Sequence, residues 1–190
     1  MIIHQRLLIT FFSIAILIVG LSCSDNSTAP ETDTPGESSV EVSGTIEGDY
    51  SGWATFTEAE LPFDMHSWRI NMTDNNSFKL SLSIESTGSI SRPEVGTYTI
   101  GQTIGSNASD FTAIFTDLAS GGVGAGSDFE YSTVGSEETT GTLVIEESTE
   151  NDVSGHFYFK GAGDIDENGN IIDPITTEGE FRAVDDESAN

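Results

Sequence analysis

The chain of 190 residues carries 32 Asp and Glu residues against six Lys and Arg residues, which gives a formal net charge of −26. This balance excludes nucleic acid as a partner, because phosphate binding depends on clustered Lys and Arg side chains. The length suits one domain with short appendages, and 20 glycines without a long apolar pattern of helical period favour short strands joined by turns.

An apolar segment opens the chain and ends close to its single cysteine. Residues 7–21 are fifteen nearly continuous apolar residues after Arg6, and Cys23 follows them. A membrane-spanning helix needs about 20 apolar residues, so this length better matches the h-region of a secretory signal. With the small residues Gly20 and Ser22 before Cys23, the segment resembles a bacterial lipoprotein signal. The resemblance implies a signal peptide over residues 1–22 and a lipid on Cys23.

Two alternatives to lipidation stay open. Gly20 occupies the position three residues before Cys23, where lipoprotein signals usually have a branched apolar residue. Cleavage near Ser22 by the ordinary signal peptidase would leave a free thiol, and an uncleaved segment would act as a membrane anchor. Lipidation explains best why an exported chain with no possible internal disulfide keeps one cysteine. It predicts attachment to the extracytoplasmic side of a membrane in the bacterial cell envelope, with the outer membrane as the expected location.

The acidic part of the chain begins after Cys23. Residues 24–39 combine Pro, Gly, Ser, Thr and acidic residues with no aliphatic side chain larger than that of Ala29, which predicts a disordered linker over residues 23–39. All 32 acidic residues follow Cys23. A uniformly negative surface is typical of a soluble, non-adhesive protein and also of adaptation to a saline habitat.

Period-two alternation dominates the rest of the sequence. It predicts strands within residues 40–48, 50–58, 67–73, 77–85, 95–100, 110–116, 129–134, 140–148, 152–161 and 175–184. The strands on either side of Asp74–Asn76 read as a β-hairpin, whereas residues 58–66 are ambiguous and compatible with a short helical turn. We therefore expect an all-β domain over residues 40–184, an antiparallel β-sandwich or flattened β-barrel of about 9–10 strands. Residues 185–190 are expected to form an acidic disordered tail.

Several of these strands resemble a group of bacterial lipoprotein domains of unknown function. The similar segments are VSGTIEGDYSGWATF (42–56), VGTYTI (95–100), GTLVIEES (141–148), DVSGHFYFKG (152–161) and TTEGEFRAV (176–184). The resemblance covers most of residues 40–184 and consists of the glycine and aromatic positions of strands. It implies the β-rich fold and the lipid anchor, and it brings no catalytic residues.

One acidic loop has the spacing of a calcium-binding loop. Asp164, Asp166, Asn168 and Asn170 occupy the first, third, fifth and seventh positions, with Gly169 at the sixth. The twelfth position is Ile175, where a bidentate Glu would be expected. The sequence is therefore compatible with a weak calcium site, and also with an ordinary hairpin loop that turns at Asn168-Gly169 between strands ending at Gly161 and starting near Ile175.

No catalytic motif is present, and His66 and His156 are isolated from any cysteine. We expect a membrane-anchored, non-enzymatic β-domain that makes binding or structural contacts. The alternative is a lipocalin-like barrel that carries a small apolar ligand in a lumen lined by Phe78, Leu80, Phe157 and Phe159. Five aromatic side chains either pack in the core or line a ligand cavity: Trp53, Trp68, Tyr98, Phe157 and Tyr158. Of these, Trp53 and Tyr158 are the better candidates for surface positions.

Overall fold

The computed structural model describes residues 36–88, 91–101, 110–119 and 129–186, which belong to a unit spanning Asp33–Asn190. Among these residues there are ten strands and no helix. The strands are β1 (Glu37–Gly44), β2 (Gly48–Leu61), β3 (Met65–Thr73), β4 (Phe78–Thr87), β5 (Gly96–Ile100), β6 (Thr112–Asp117), β7 (Phe129–Ser132), β8 (Gly141–Ser148), β9 (Asp152–Ile165) and β10 (Ile171–Asp185). The predicted all-β fold is confirmed.

All ten strands belong to one sheet that closes into a ring, in the order β1-β10-β2-β3-β4-β6-β7-β9-β8-β5. Strand β10 closes it, because β10 pairs with β9 along most of its length and also with β1 and β2. Further contacts complete the ring. Strand β6 pairs with β7, and Ser132 of β7 pairs with Ala162 of β9. Ile100, at the end of β5, forms an isolated bridge to Phe111. The architecture is therefore a closed, barrel-like ring.

The alternating side chains of these strands place one apolar set inside the ring. In β3 and β4, Trp68, Ile70 and Met72 are fully buried and lie opposite Ile84, Leu82 and Leu80, respectively. A slip of one residue would turn this apolar set towards solvent, so the apolar pattern specifies the register. Trp68 stacks on Phe56 at a ring-centroid distance of 5.9 Å and meets the edge of Phe111 at 6.2 Å. Each fully buried side chain of this size contributes about 1.5–3 kcal/mol to stability.

Two hairpins differ from the sequence-based expectation. Strands β2 and β3 are joined by the three residues 62–64, with Leu61 paired to Met65, so the short helical turn considered for residues 58–66 is absent. Strand β9 continues past Gly161 to Ile165, and strand β10 begins at Ile171, which is before Ile175. Ile165 and Ile171 pair with each other close to the turn. Backbone pairing continues there even though the side chains no longer follow a simple apolar alternation.

Both ends of the predicted domain also differ from the structure. Strand β1 begins at Glu37, inside the predicted linker, because Glu37 to Ser39 already pair with Arg182 to Glu180 of β10. Asp185 is the last residue of β10, and the N–H of Asp186 donates to the carbonyl of Phe56 at 3.1 Å, so these two residues are not part of a disordered tail. The signal, Cys23 and the rest of the linker lie outside the described residues, as do residues 187–190.

The carboxylate of Asp74 organises the predicted hairpin between β3 and β4. Its Oδ1 accepts the N–H groups of Asn76 at 2.9 Å, Ser77 at 2.7 Å and Phe78 at 3.2 Å, and its Oδ2 accepts the hydroxyl of Ser77. These hydrogen bonds hold the pKa of Asp74 well below its ordinary value of 3.8, and the bond from the Ser77 side chain has the largest effect.

Replacement of Asp74 by alanine should lower the free energy of unfolding at pH 7 by roughly 1–2 kcal/mol, because three N–H donors lose a charged acceptor. The folded-state pKa is depressed, so the stabilisation is complete above the unfolded-state pKa of about 3.9 and is lost as pH falls through the lower folded-state pKa. Urea unfolding of wild type and Asp74→Ala should therefore converge progressively below about pH 4. Glu58→Ala removes the same charge from an exposed position of β2 and is the control. A constant difference between wild type and Asp74→Ala down to pH 2 would contradict the interpretation.

The β2–β3 turn holds two non-glycine residues in the left-handed backbone region, Phe63 with φ 68° and Asp64 with φ 56°. Phe63 is also 93% exposed, so packing does not offset the steric cost of that conformation. Asparagine tolerates this region better than phenylalanine. Phe63→Asn should therefore raise the melting temperature by a few degrees, on the order of 1 kcal/mol in stability, measured by circular dichroism. Phe129→Asn, at another exposed phenylalanine that lies in strand β7, should give no such gain, and equal gains for the two variants would exclude backbone strain as the cause.

Candidate functional site

The four residues predicted to bind calcium lie at the tip of the β9–β10 hairpin. Asp164 is in β9, and the turn consists of residues 166–170, with Gly169 at a φ of 85°. The N–H of Asp166 donates to the carbonyl of Asn170 at 2.9 Å, which closes the turn. The geometry is that of a tight hairpin, as in the second of the two sequence interpretations.

Both carboxylate oxygens of Asp166 are used inside this turn. Oδ1 accepts the N–H groups of Asn168 and Asn170, each at 2.8 Å, and Oδ2 accepts the side-chain amide of Asn170 at 2.8 Å. These bonds lower the pKa of Asp166, with the Asn170 side chain as the largest cause. Asp164 accepts the N–H of Ile165 at 2.7 Å. Within the described ranges, no group of three or more His, Cys, Asp or Glu side chains is placed to hold a metal ion.

The aromatic candidates divide between the core and the surface. Trp68 and Phe157 are buried, whereas Trp53 is 42% and Tyr158 49% exposed, as expected for the two surface candidates. Tyr98 is half-buried against Phe111, and its hydroxyl donates to the carbonyl of Glu94 at 2.7 Å. His156 is exposed on the outer face, with Nδ1 3.3 Å from a carboxylate oxygen of Glu146.

The four side chains expected to line a lumen instead fill the interior. Phe78, Leu80, Phe157 and Phe159 are at most 2% exposed and belong to one continuous core cluster. Phe78 stacks on Phe115 at 6.3 Å between ring centroids, and Phe157 packs on Phe159 at 6.2 Å. Aromatic side chains thus occupy the space where a carried ligand would lie.

A groove of about 930 Å³ lies on the outside of the ring, across β3, β4 and β6. Its floor consists mainly of outward-facing residues in three cross-strand rows. The rows are Arg69–Ser83–Thr112, Asn71–Ser81–Ile114 and Thr73–Lys79–Thr116. The hydroxyls of Ser83 and Thr112 are 3.1 Å apart, so neighbouring strands also contact each other through their outer side chains.

Charge distinguishes the groove from the rest of the outer surface. Among the described residues that line it, two are basic, Arg69 and Lys79, and two are acidic, Glu85 and Asp110. The contacts between basic and acidic side chains found among the described residues, His156–Glu146 and Arg182–Asp152, involve neither Arg69 nor Lys79. The Nε of Arg69 is buried and has no hydrogen-bond partner. The described lining of the groove therefore carries basic and acidic side chains in equal number.

The outer face of β1, β2 and β10 has the opposite character. Exposed Glu41 lies directly between Asp49 of β2 and Glu178 of β10, so three carboxylates follow one another across neighbouring strands. Like charges directly opposite each other in a sheet repel. The ring thus has one strongly acidic face and one groove whose lining has balanced charge.

The sequence did not reveal this groove. Alternation identifies Arg69 and Lys79 as outward-facing, and their positions on the two strands of one predicted hairpin are the available signal. The third wall, β6, pairs with β4 although β5 lies between them in the sequence. That placement requires the tertiary structure.

Comparison with known proteins finds no matching family model, no matching curated protein and no matching solved structure. The resemblance to bacterial lipoprotein domains therefore stays a prediction from the strand motifs of the sequence. In the described part of the chain, no helix has the length and apolar character needed to cross a membrane.

Calcium at millimolar concentration should leave the melting temperature unchanged, because both oxygens of Asp166 already accept hydrogen bonds from within the turn. Asp166→Ala should lower the melting temperature with or without calcium, since the turn loses its acceptor. Differential scanning calorimetry of wild type, Asp166→Ala and the Asp164→Ala/Asp166→Ala double variant, each with and without calcium, measures both effects. A calcium-dependent rise in wild type that the double variant lacks would instead establish the ion site predicted at Asp164, Asp166, Asn168 and Asn170.

Proposed function

We propose that this chain is a lipid-anchored, extracytoplasmic binding protein of the bacterial cell envelope. In this proposal Cys23 carries the lipid, the non-catalytic ring is displayed outside the cytoplasm, and the groove across β3, β4 and β6 is the binding surface. The proposal rests on one observation above all. The interior is filled by packed aromatic side chains, while the outer face offers a groove of about 930 Å³ whose described lining has hydroxyl and amide groups and equal numbers of basic and acidic side chains.

The filled interior favours surface binding over the carriage of an apolar ligand. A carrier needs a lumen of several hundred Å³. Inward positions such as Phe78, Phe115 and Phe159 are fully buried and belong to a single core cluster. Opening a cavity there would cost several kcal/mol for each large side chain displaced.

A binding role is also better supported than a catalytic one. Catalysis needs polar groups that converge on one reacting centre. In the groove, Lys79 pairs with Thr73, four residues along β3 from Arg69, which separates the two Cα atoms by about 14 Å along neighbouring strands. Groups spread in this way suit contacts along a surface.

The envelope location depends on the lipid anchor, and metabolic labelling tests it. Cells grown with labelled palmitate should incorporate label into the wild-type chain and not into Cys23→Ser, because the thiol is the attachment point. The wild-type chain should sediment with membranes, and its measured mass should correspond to a lipid-modified chain that begins at Cys23. Ser27→Ala, a small change in the same segment, should keep the label.

The same experiment separates the two alternatives. A secreted chain without label and with a free Cys23 thiol would indicate ordinary signal cleavage. A membrane-bound chain without label that retains residues 1–22 would indicate an uncleaved anchor. Either result would replace the lipid-anchored location.

A further inference from the structure

We propose that the turn between β2 and β3 contacts the membrane, with the side chain of Phe63 inserted among the headgroups of a zwitterionic lipid surface. The inference rests on the lipid anchor of the proposed function and goes beyond it, because it assigns a second contact with the same membrane. Four features support it: the exposure and backbone conformation of Phe63, the projection of its hairpin, the direction of β1, and the length of chain between β1 and Cys23.

Phe63 is exposed and strained at the same time. In the described part of the chain it is the most exposed large apolar side chain, at 93%. A single apolar side chain on a surface is common. Phe63 also holds a φ of 68°, which costs free energy for a bulky residue. A backbone outlier that packing does not stabilise indicates a functional contact at that position.

The β2–β3 hairpin carries Phe63 beyond the strand that closes the ring. Strand β10 pairs with β2 as far as Phe56, and the N–H of Asp186 donates to the carbonyl of Phe56. Strand β2 continues with β3 as its partner to Leu61, five residues further, which is about 17 Å in an extended strand. Residues 58–60 in this projecting part are exposed. The turn can therefore reach a flat surface before the rest of the ring does.

The direction of β1 relates the turn to the predicted anchor. Strand β1 is antiparallel to β2, with Ser38 opposite Gly52. Gly36 lies beside Ala54, because a Cβ added to Gly36 would meet the carbonyl oxygen of Ala54. Followed backwards from Ser38 to Gly36, the chain thus runs along β2 in the direction of the β2–β3 turn. The first residues of β1 therefore point towards the end of the hairpin that carries Phe63.

The chain between Cys23 and Gly36 is long enough for both contacts. Ala54, beside Gly36, is seven residues of β2 away from Leu61, which is about 23 Å. Thirteen peptide units join Cys23 to Gly36 and can span at most about 45 Å. If the linker is flexible, as the sequence predicts, its mean reach is about 20 Å. A membrane that holds a lipid on Cys23 can therefore lie at the level of Phe63.

The charges beside Phe63 select the kind of lipid surface. Glu58, Glu60 and Asp64 belong to the same hairpin and are exposed. Anionic headgroups repel these carboxylates, over a distance that salt screens. One phenyl ring adds little affinity by itself, but the anchor makes its contact intramolecular, at a high effective concentration. The turn therefore suits the interface of a zwitterionic membrane to which the chain is already attached.

Fluorescence quenching of the full chain in phosphatidylcholine vesicles tests the proposal. The chain is purified in detergent and reconstituted into vesicles with or without brominated acyl chains, because bromine quenches an indole by contact. Phe63→Trp places an indole at the turn and keeps a large aromatic side chain there. The emission that it adds to that of Trp53 and Trp68 should be largely lost in the brominated vesicles and kept in the others.

Phe129→Trp is the matched control, at another exposed phenylalanine. Phe129 pairs with Asp117 of β6, which pairs with Phe78 at the start of β4. The other end of β4, Thr87, pairs with Met65 directly after the turn. The control indole thus lies at the far end of β4, and its emission should be the same in both kinds of vesicle.

Anionic lipid supplies a second readout. Vesicles that also contain phosphatidylglycerol should quench Phe63→Trp less at low salt, because the carboxylates beside the turn are repelled. Asp64→Asn in the same chain should restore part of the quenching, since it removes one of these charges. Raising the salt concentration should have the same effect.

Two results would overturn the membrane contact alone. In the first, the chain floats with the vesicles but the indole at residue 63 is not quenched, so the anchor is present without the contact. In the second, the indoles at residues 63 and 129 are quenched equally, which means contact without orientation. A blue shift of the residue-63 emission that depends on protein concentration in detergent alone would instead assign the turn to contact between copies of the chain.

Failure of the anchor gives a different result. A chain that does not float with the vesicles and takes up no labelled palmitate would remove the proposed anchor, together with the contact that rests on it. Flotation therefore reports on Cys23 and quenching reports on Phe63, and the two failures can be told apart.

Discussion

The pairing of β10 with its neighbours is the constraint on which the rest of the structure depends. Strand β10 pairs with β9 over residues 171–184, with β1 over residues 175–182, and with β2 at Val184 and Asp185. Without these contacts the sheet would be open, with β9 and β1 at its edges and the apolar faces exposed. Closure is what allows one layer of strands to bury a core without any helix in the described part of the chain.

The closed ring determines where a ligand can bind. The inner faces meet around Trp68, Phe111, Phe115 and Phe159, all of which are fully buried. In a small ring, large aromatic side chains on the inner positions leave little room for a ligand, which supports the proposal that binding takes place on the outside. This is why the same alternation that forms the core also forms the groove. The residues between Trp68, Ile70 and Met72 are Arg69 and Asn71, and they face outward as a direct consequence.

Charge is then distributed unevenly over the outer surface. Asp49, Glu41 and Glu178 repel one another across β2, β1 and β10, and this cost is tolerated because each is exposed to solvent, where repulsion is screened. Arg69 and Lys79 lie instead on strands whose outer positions are mainly hydroxyl and amide groups. The net charge of −26 therefore describes the molecule as a whole but not the groove.

The sequence by itself determined the all-β class, all ten strand positions to within a few residues, the inward side of each long strand and the hairpin at Asp74. These features depend on alternation and turn chemistry, which are local. It identified Trp53 and Tyr158 as surface residues for the same reason. The sequence did not determine the ring, because the strands β1 and β2 that pair with β10 are far from it in the chain. It did not determine the groove either, because β6 lies beside β4 while β5 pairs with β8. In the β9–β10 hairpin, only the tertiary structure shows that Asp166 accepts hydrogen bonds from Asn168 and Asn170, and the calcium site there stays a prediction. Contacts between distant segments have no local pattern, and only the tertiary structure decided them.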